Sequence, residues 1–469
     1  MLIQAVILGP AVRRNVGWVH GKTRFGTRRN LGWTRGETGV SASIGGVSSD
    51  STRNLLPRRA TAIAADSLQD FRVLVIHGAR QVGKTTLAQA LGATINARYV
   101  SLDSDDDRAF AALDGRTFLD ALGKPLIIDE IQRVGEPLVL AVKIVVDADN
   151  RPGQFILTGS TNFLTVPTIS ESLAGRVDIV TLWPFSQGEL SDGTDSFVDR
   201  AFATTEELIR HQGACPTRPE YFDMLCVGGY PAVQRFSSRA RGRWFEAYVD
   251  TVLRREIQLI DDIRRFDALA GMVRYFAATT GQELVIGTVA ERLGINRSTA
   301  ESYEPWLETV FLIHRVSSWS RNLTSRVVKR PKIYMVDTGI AASLVGKDSN
   351  ALQRHTESAA GPLFETFMVN ELRKQLDWSD TRARMFHFRD RAGAEVDVVL
   401  ESADGRVVAV EIKSTATPRP EDFRWLQVLR DRLDRAGGEF VAGVVLHTGE
   451  RRLPFGDRLV ALPAADVWT

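Results

Sequence analysis

HGARQVGKTTLA, residues 77–88, stands directly behind the apolar run VLVI at 73–76 and leads into a helical pattern carried by Leu87 and Leu91. Gly78, Gly83, Lys84 and Thr85 keep the spacing G-x-x-x-x-G-K-[ST] of a phosphate-binding loop. Glycines let backbone N–H groups close on an anion, a lysine neutralises the outer phosphates, and the hydroxyl behind it reaches magnesium. A buried strand over 71–76, a loop and a helix are therefore expected. ATP would be held by Gly78, Ala79, Arg80, Gln81, Val82, Gly83, Lys84, Thr85 and Thr86, with Thr85 a ligand of the metal.

Two further apolar runs end in chemistry. KPLIIDEIQR, residues 124–133, contains a buried strand at 126–128 that delivers two adjacent carboxylates. Asp129 can hold magnesium through water, and Glu130 can orient and polarise the attacking water. FILTGSTN, residues 155–162, gives another strand, beginning at Phe155, that breaks at Gly159. Thr158, Ser160 or Asn162 could sense a terminal phosphate there, because ligands sit at the carboxyl ends of parallel strands. Shortly after, Arg176 is a candidate arginine finger, acting on the ATP of a neighbouring copy in a homo-oligomer.

The series GARQVGKTT, LIIDEIQR, LTGSTNFL, ESLAGRV and WPFSQGEL, in this order, resembles the AAA-type ATP-binding proteins of bacteria and archaea that carry a C-terminal domain of unknown function. The resemblance continues through CVGGYPAV, LFETFMVNEL, GAEVDVVLE and VVAVEIKS, covering most of the chain from residue 56 onward. It implies an AAA-like ATPase core with Lys84, Thr85, Asp129 and Glu130 at the nucleotide, Arg176 in trans, and a tail related to the PD-(D/E)xK nucleases. The chain departs from the family at Arg255-Glu256, where Arg-Asp is expected.

Residues 206–319 read as largely helical, punctuated at Gly228, Gly229 and Pro231. Within them a helix from Thr288, a turn at Gly294, a cap at Asn296, a second helix to Leu307 and a strand from Val310 follow the order of a winged helix-turn-helix. Its second helix carries Arg297 but also Glu301 and Glu304, which oppose phosphate. Cations gather later, at Arg321, Arg326, Lys329, Arg330 and Lys332, as in a wing or a following loop, and the module would either contact DNA or serve a structural or subunit-contact role.

The last third holds a second constellation. Glu411 and Lys413 are two apart in a strand and so share a face. Asp397 ends the short strand in GAEVDVVLE, a hairpin turn at Asp404-Gly405 would bring it beside them, and Glu365 could join from the helix near Leu363. Asp397 and Glu411 would grip magnesium while Lys413 activates water against a phosphodiester. The alternative is a salt-bridged strand pair. The positions match the Glu, Asp and Glu-x-Lys of the resembled superfamily, with Val396 in place of its proline.

The expected architecture is thus α/β and multidomain. A disordered basic extension (1–55) precedes an AAA-type P-loop core with a parallel sheet (56–205), a helical middle with a winged helix (206–320) and an α/β nuclease-like C-terminal domain (321–469). Length supports several domains, since 469 residues exceed one ordinary core. A net charge of +2 neither demands nor forbids a nucleic-acid partner. Only Cys215 and Cys226 occur, which excludes a cysteine-built zinc cluster and fits a cytoplasmic protein. No apolar run reaches membrane length; the nearest, 138–146, is short and carries Lys143. His314, His355 and His387 lack metal-ligand spacing, and Tyr334, Trp306 and Phe364 read as core. The expected function is an ATPase that controls a nuclease-like domain. A DNA-binding switch on an inert platform and a protein-remodelling ATPase are the alternatives.

Overall fold

β1 (Val73–His77) is buried at all five positions, and its side chains divide between two layers. Leu74 and Ile76 face helices α1 (Ala60–Asp70) and α2 (Lys84–Thr94), packing with Leu68, Leu87 and Leu91. Val73 and Val75 face the opposite layer. There α3 (Asp105–Leu113), α4 (Gly115–Leu122) and α5 (Glu136–Ala148) supply Ala111, Phe118, Leu138 and Val142. That is the period of two expected of a strand covered on both faces, and it explains the unbroken apolar runs. The run 138–146 belongs to α5; no described helix is long and apolar enough to cross a membrane. This computed structural model describes residues 56–160, 173–257, 265–321, 326, 329–354 and 356–469. The extension 1–55, Asn162 and His355 lie outside the described residues.

β2 (Arg98–Ser101), β3 (Leu126–Asp129), β4 (Phe155–Gly159) and β5 (Val177–Thr181) complete a five-stranded sheet in the order β2-β3-β4-β1-β5, parallel throughout. β4 therefore lies between the loop-bearing strand and the strand ending in Asp129. A shared direction gathers the loop after β1, the carboxylates after β3 and Ser160 after β4 at one edge.

The middle of the chain contains the helices Arg218–Val227, Ser238–Thr251 and Phe266–Ala278. The first of the three ends at Gly228, as its punctuation suggested. β6 (Gln282–Glu283), the helices Ile286–Leu293 and Arg297–Thr309, β7 (Ile313–Val316) and β8 (Lys332–Met335) follow, with the strands paired in the order β6-β8-β7. Gly294, at φ +60°, makes the turn between the two helices. The strand expected from Val310 starts three residues later, because Phe311 takes a left-handed φ of +59° that an extended chain cannot continue through.

The long helix Ala360–Gln375 precedes a six-stranded sheet of β9 (Ala383–Arg389), β10 (Glu395–Ser402), β11 (Arg406–Lys413), β12 (Glu439–His447), β13 (Leu453–Pro454) and β14 (Leu459–Pro463). β9, β10 and β11 are antiparallel, and β11, β12 and β14 run parallel. One face packs the helix Arg424–Arg435 through Leu426, Leu429 and Leu433. The other face, through Val398, Leu400, Val408 and Val410, joins a core cluster that runs from Ala60 to Trp468. Residues 56–469 accordingly cluster as one compact unit.

Candidate nucleotide site and C-terminal acidic cluster

The loop after β1 has no room for side chains where it turns. A Cβ on Gly78 would stand 2.1 Å from the carbonyl oxygen of Leu182. Gly83, at φ +100°, caps α2 in a conformation that other residues rarely adopt. Lys84 is 5 % exposed, and its Nζ donates to the carbonyls of Gly78 (3.0 Å) and Ala79 (2.8 Å), which folds the amine into the cradle. Burial pushes its pKa down to about 8, opposed by the charges of Glu130, Glu256 and Asp129.

Asp129 is oriented by three hydroxyls. Thr85 Oγ1 lies 3.0 Å from both of its oxygens, Tyr99 donates at 2.9 Å, and Thr158 donates as well. A threonine hydroxyl and a carboxylate side by side at the phosphate loop are the hard oxygen donors magnesium prefers, so these residues fit a magnesium nucleotide. Glu130 occupies the left-handed region at φ +58°, a costly position for a non-glycine residue that is typical of functional sites. Its N–H donates to Thr158 Oγ1 at 3.1 Å, and Gln132 donates to its carboxylate. Burial raises the Glu130 pKa against the pull of Lys84.

The residues anticipated at the nucleotide thus converge. Ser160 Oγ accepts from Gln132 (2.8 Å) and donates to Glu256 (2.6 Å), and Gln81 and Thr86 are exposed at the mouth. Arg176 does not join them. It lies at the opposite edge of the sheet, where its carbonyl accepts from Val73 N, and its guanidinium is paired with Asp147, with one contact at 3.1 Å.

Two site residues carried no readable signal. Arg58 donates to the carbonyls of Val82 (2.7 Å) and Trp183 (2.6 Å) and to Glu189 (3.0 Å), bracing the loop from beneath. Glu256 ends a π-helical turn, Val252–Glu256, and pairs with Arg80. The only hint of its role was its place in the segment that departs from the resembled family.

At the other site, β10 and β11 form the anticipated hairpin, with Gly405 at φ +90°. Asp397 does not end a short strand as expected. It lies near the start of β10, within a register shift between Val396 and Val399. Such a bulge re-aims side chains. Asp397 Oδ2 accepts from Ile412 N at 2.9 Å, and Lys413 contacts Glu411 Oε1 at 2.6 Å. Glu411 Oε2 is buried without a hydrogen-bond partner. Glu365 accepts from Tyr334 (2.6 Å) and Lys332 (3.0 Å). Burial and the neighbouring Asp397 raise the pKa of both Glu365 and Glu411. Among the described residues no three His, Cys, Asp or Glu side chains are arranged to hold a metal ion.

Two of the five cations of the expected basic wing are turned inward. Lys332 is 2 % exposed and lies 3.0 Å from Glu365, 3.0 Å from Glu395 and 3.6 Å from Asp397. Arg326 forms a double contact with Glu401, at 2.6 and 2.7 Å. Buried carboxylates need counter-charges, and these cations supply them. Arg321, Lys329 and Arg330 stay exposed. Tyr334 is core, yet its hydroxyl belongs to the cluster, while Phe364 is buried and Trp306 packs partly buried.

The long helix Ala360–Gln375 joins the two sites. It carries Glu365, and six residues on Glu371 accepts from Gln187 N (2.7 Å) and Lys374 (2.6 Å). Lys374 also donates to Phe185 O at 2.9 Å, and Trp183 donates to Asp377. Residues 183–187 directly follow Leu182, whose N–H donates to His77 O at 2.7 Å.

Residues 70–191 match the AAA domain family. Residues 218–382 and 360–467 match two domains of unknown function, DUF8612 and DUF4143. Uncharacterized proteins of Mycobacterium tuberculosis and Mycobacterium bovis are each 27% identical over 417 residues, 88% of this chain and 85% of the relative. Among solved structures, a Walker-type ATPase of Pyrococcus abyssi is 16% identical with a TM-score of 0.39, covering 63% of this chain and 97% of its own. The RuvB Holliday junction branch migration motor of Thermotoga maritima is 19% identical with a TM-score of 0.26, covering 55% and 87%. The AAA match and the geometry of the loop agree that the chain carries an AAA-type, ATP-binding P-loop domain.

Proposed function

We propose that the chain is a magnesium-dependent ATPase whose nucleotide state acts on its C-terminal domain. The convergence of Lys84, Thr85, Asp129 and Glu130 at one sheet edge carries this reading. Lys84 would bind and neutralise the outer phosphates, and Thr85 and Asp129 would hold the metal. Magnesium, when bound, offsets the charge on the phosphates. Glu130, with a raised pKa and a fixed carboxylate, accepts the proton of the attacking water. Arg176, remote from its own nucleotide, would serve only a neighbouring copy.

The C-terminal domain is the output. Helix, strand, two helices and two strands over 266–335 follow the order expected of a winged helix, and Asp397, Glu411 and Lys413 would serve a nuclease-like site acting on nucleic acid. A specific observation favours the second reading, a nucleic-acid-binding switch on an inert platform: the ammonium of Lys332 already stands among Glu365, Glu395 and Asp397, within 3.0 to 3.6 Å, and offsets part of their charge.

The test is phosphate release together with cleavage of labelled single- and double-stranded DNA and RNA, with magnesium and with manganese. Lys84→Ala should abolish hydrolysis. Cleavage removed by Asp397→Ala supports the nuclease reading; hydrolysis without cleavage supports the switch. No hydrolysis by the native chain would overturn the ATPase.

A further inference from the structure

Glu256 is 3 % exposed, and its side-chain hydrogen bonds among the described residues are to Arg80 and Ser160. One oxygen pairs with Arg80, inside the phosphate loop and 176 positions away in the chain. The other accepts from Ser160 Oγ at 2.6 Å, beyond the end of β4. Ser160 in turn accepts from Gln132, which holds Glu130. Glu256 therefore stands on the side of the site where the attacking water and the terminal phosphate belong. Its negative charge is also one of those acting on Lys84. A buried carboxylate in a cradle built for anions is held there by cations that a phosphate would claim.

The segment that delivers it has a second point of contact. The helix Ser238–Thr251 places the Tyr248 hydroxyl 3.3 Å from the carbonyl of Arg80. The π-helical turn Val252–Glu256 then carries Glu256 to the loop, and π-turns recur where a helix must bring a side chain to a functional site.

We propose that Glu256 competes with the terminal phosphate of a nucleoside triphosphate for Arg80 and Ser160, and so reports triphosphate against diphosphate to the segment 238–256. This rests on the ATPase reading above. A triphosphate takes Arg80 and Ser160, repels the carboxylate and releases the segment from the loop. A diphosphate lacks the competing group, and Glu256 returns. Glu256 is thus a positioning residue, and its effect falls on the choice between nucleotides rather than on nucleotide binding as such.

The experiment titrates the full chain with a fluorescent non-hydrolysable ATP analogue and with fluorescent ADP, in magnesium. Glu256→Gln keeps size and removes charge. It should tighten the ATP analogue about tenfold while ADP changes by about twofold or less, the loss of one close charge competitor. In an Arg80→Ala background the same substitution should move the ratio of the two affinities clearly less, because only the competition for Ser160 is left. Equal changes for both nucleotides when Glu256→Gln is made in the otherwise native chain, or the same change of ratio with and without Arg80, overturn the proposal. Independently of any variant, hydrogen exchange in the native chain should be faster over 248–256 with the ATP analogue than with ADP, and equal exchange overturns it too. If the native chain binds neither nucleotide, the ATPase reading falls and takes this one with it. If it binds both without these differences, only the role of Glu256 falls.

Discussion

Glu371→Ala should be among the most damaging single changes outside the nucleotide loop. The carboxylate is 1 % exposed and holds two donors, Gln187 N at 2.7 Å and Lys374 at 2.6 Å. Removing it deletes two charge-assisted hydrogen bonds and leaves the Lys374 ammonium buried with Phe185 O as its remaining partner. Breaking a buried pair from one side costs about 3–5 kcal/mol, a large share of the ~5–15 kcal/mol that keeps a protein folded. Urea unfolding followed by tryptophan fluorescence is the assay, and Trp183, bonded to Asp377 just beyond the end of the same helix, is a local reporter. Glu371→Leu combined with Lys374→Met removes both charges at similar volume but leaves Gln187 N and Phe185 O without these partners, so it should recover about 1–2 kcal/mol of the loss without reaching the native chain. The same loosening should weaken ATP binding, because residues 183–187 continue from Leu182 against the glycine loop. A cost below about 1 kcal/mol for the single change, or a double variant no better than the single, would refute the reasoning.

Three more outcomes are expected. Glu130→Gln should bind ATP normally and lower turnover by about 100-fold or more in a phosphate-release assay, since the amide cannot accept the proton. Arg58→Ala should weaken ATP binding and cost about 2–4 kcal/mol in urea unfolding, as it frees the carbonyl of Val82 and leaves Glu189, 2 % exposed in its side chain, without its cation. Burial, followed by the nearby charge of Arg373, pushes the His314 pKa from 6.5 down to about 4, so the folded chain refuses a proton that the unfolded chain accepts. Its stabilising contribution is full above pH 6.5 and lost as pH falls toward about 4. His314→Phe should flatten that part of the pH–stability curve.

What could be read from the sequence was local. Residues 73–94 declare strand, loop and helix within 22 positions, and apart from Gln81, at φ +64°, the left-handed positions fall on glycines and the buried strand on apolar residues. The hairpin around Gly405 and the helix pair divided by Gly294 were legible for the same reason. Contacts that complete the sites span the chain instead. Arg58 meets Glu189 131 positions on, and Glu256 meets Arg80 across 176. Neither periodicity nor composition records such a meeting. Lys332 and Arg326 looked like surface cations because nothing nearby in the sequence shows that Glu365, Glu395, Asp397 and Glu401 converge on them. Arg176 followed a glycine in a suggestive setting, and its partner Asp147 lies on a helix the motif does not include.

The long helix Ala360–Gln375 has a consequence for modularity. An ATP-binding domain is commonly imagined as a cassette that recombination can move between outputs. Here the segment behind the loop is finished by another part of the chain: Phe185 O by Lys374, Gln187 N by Glu371, Trp183 by Asp377 and Val198 N by Gln375. A fragment stopping at residue 205 would present Trp183 and Phe185 to water and strand those backbone groups, so it should aggregate or hold its loop slackly. Exchange of parts between relatives is then open only to pieces that travel with this helix, which ties the evolution of the C-terminal part of the chain to that of the loop.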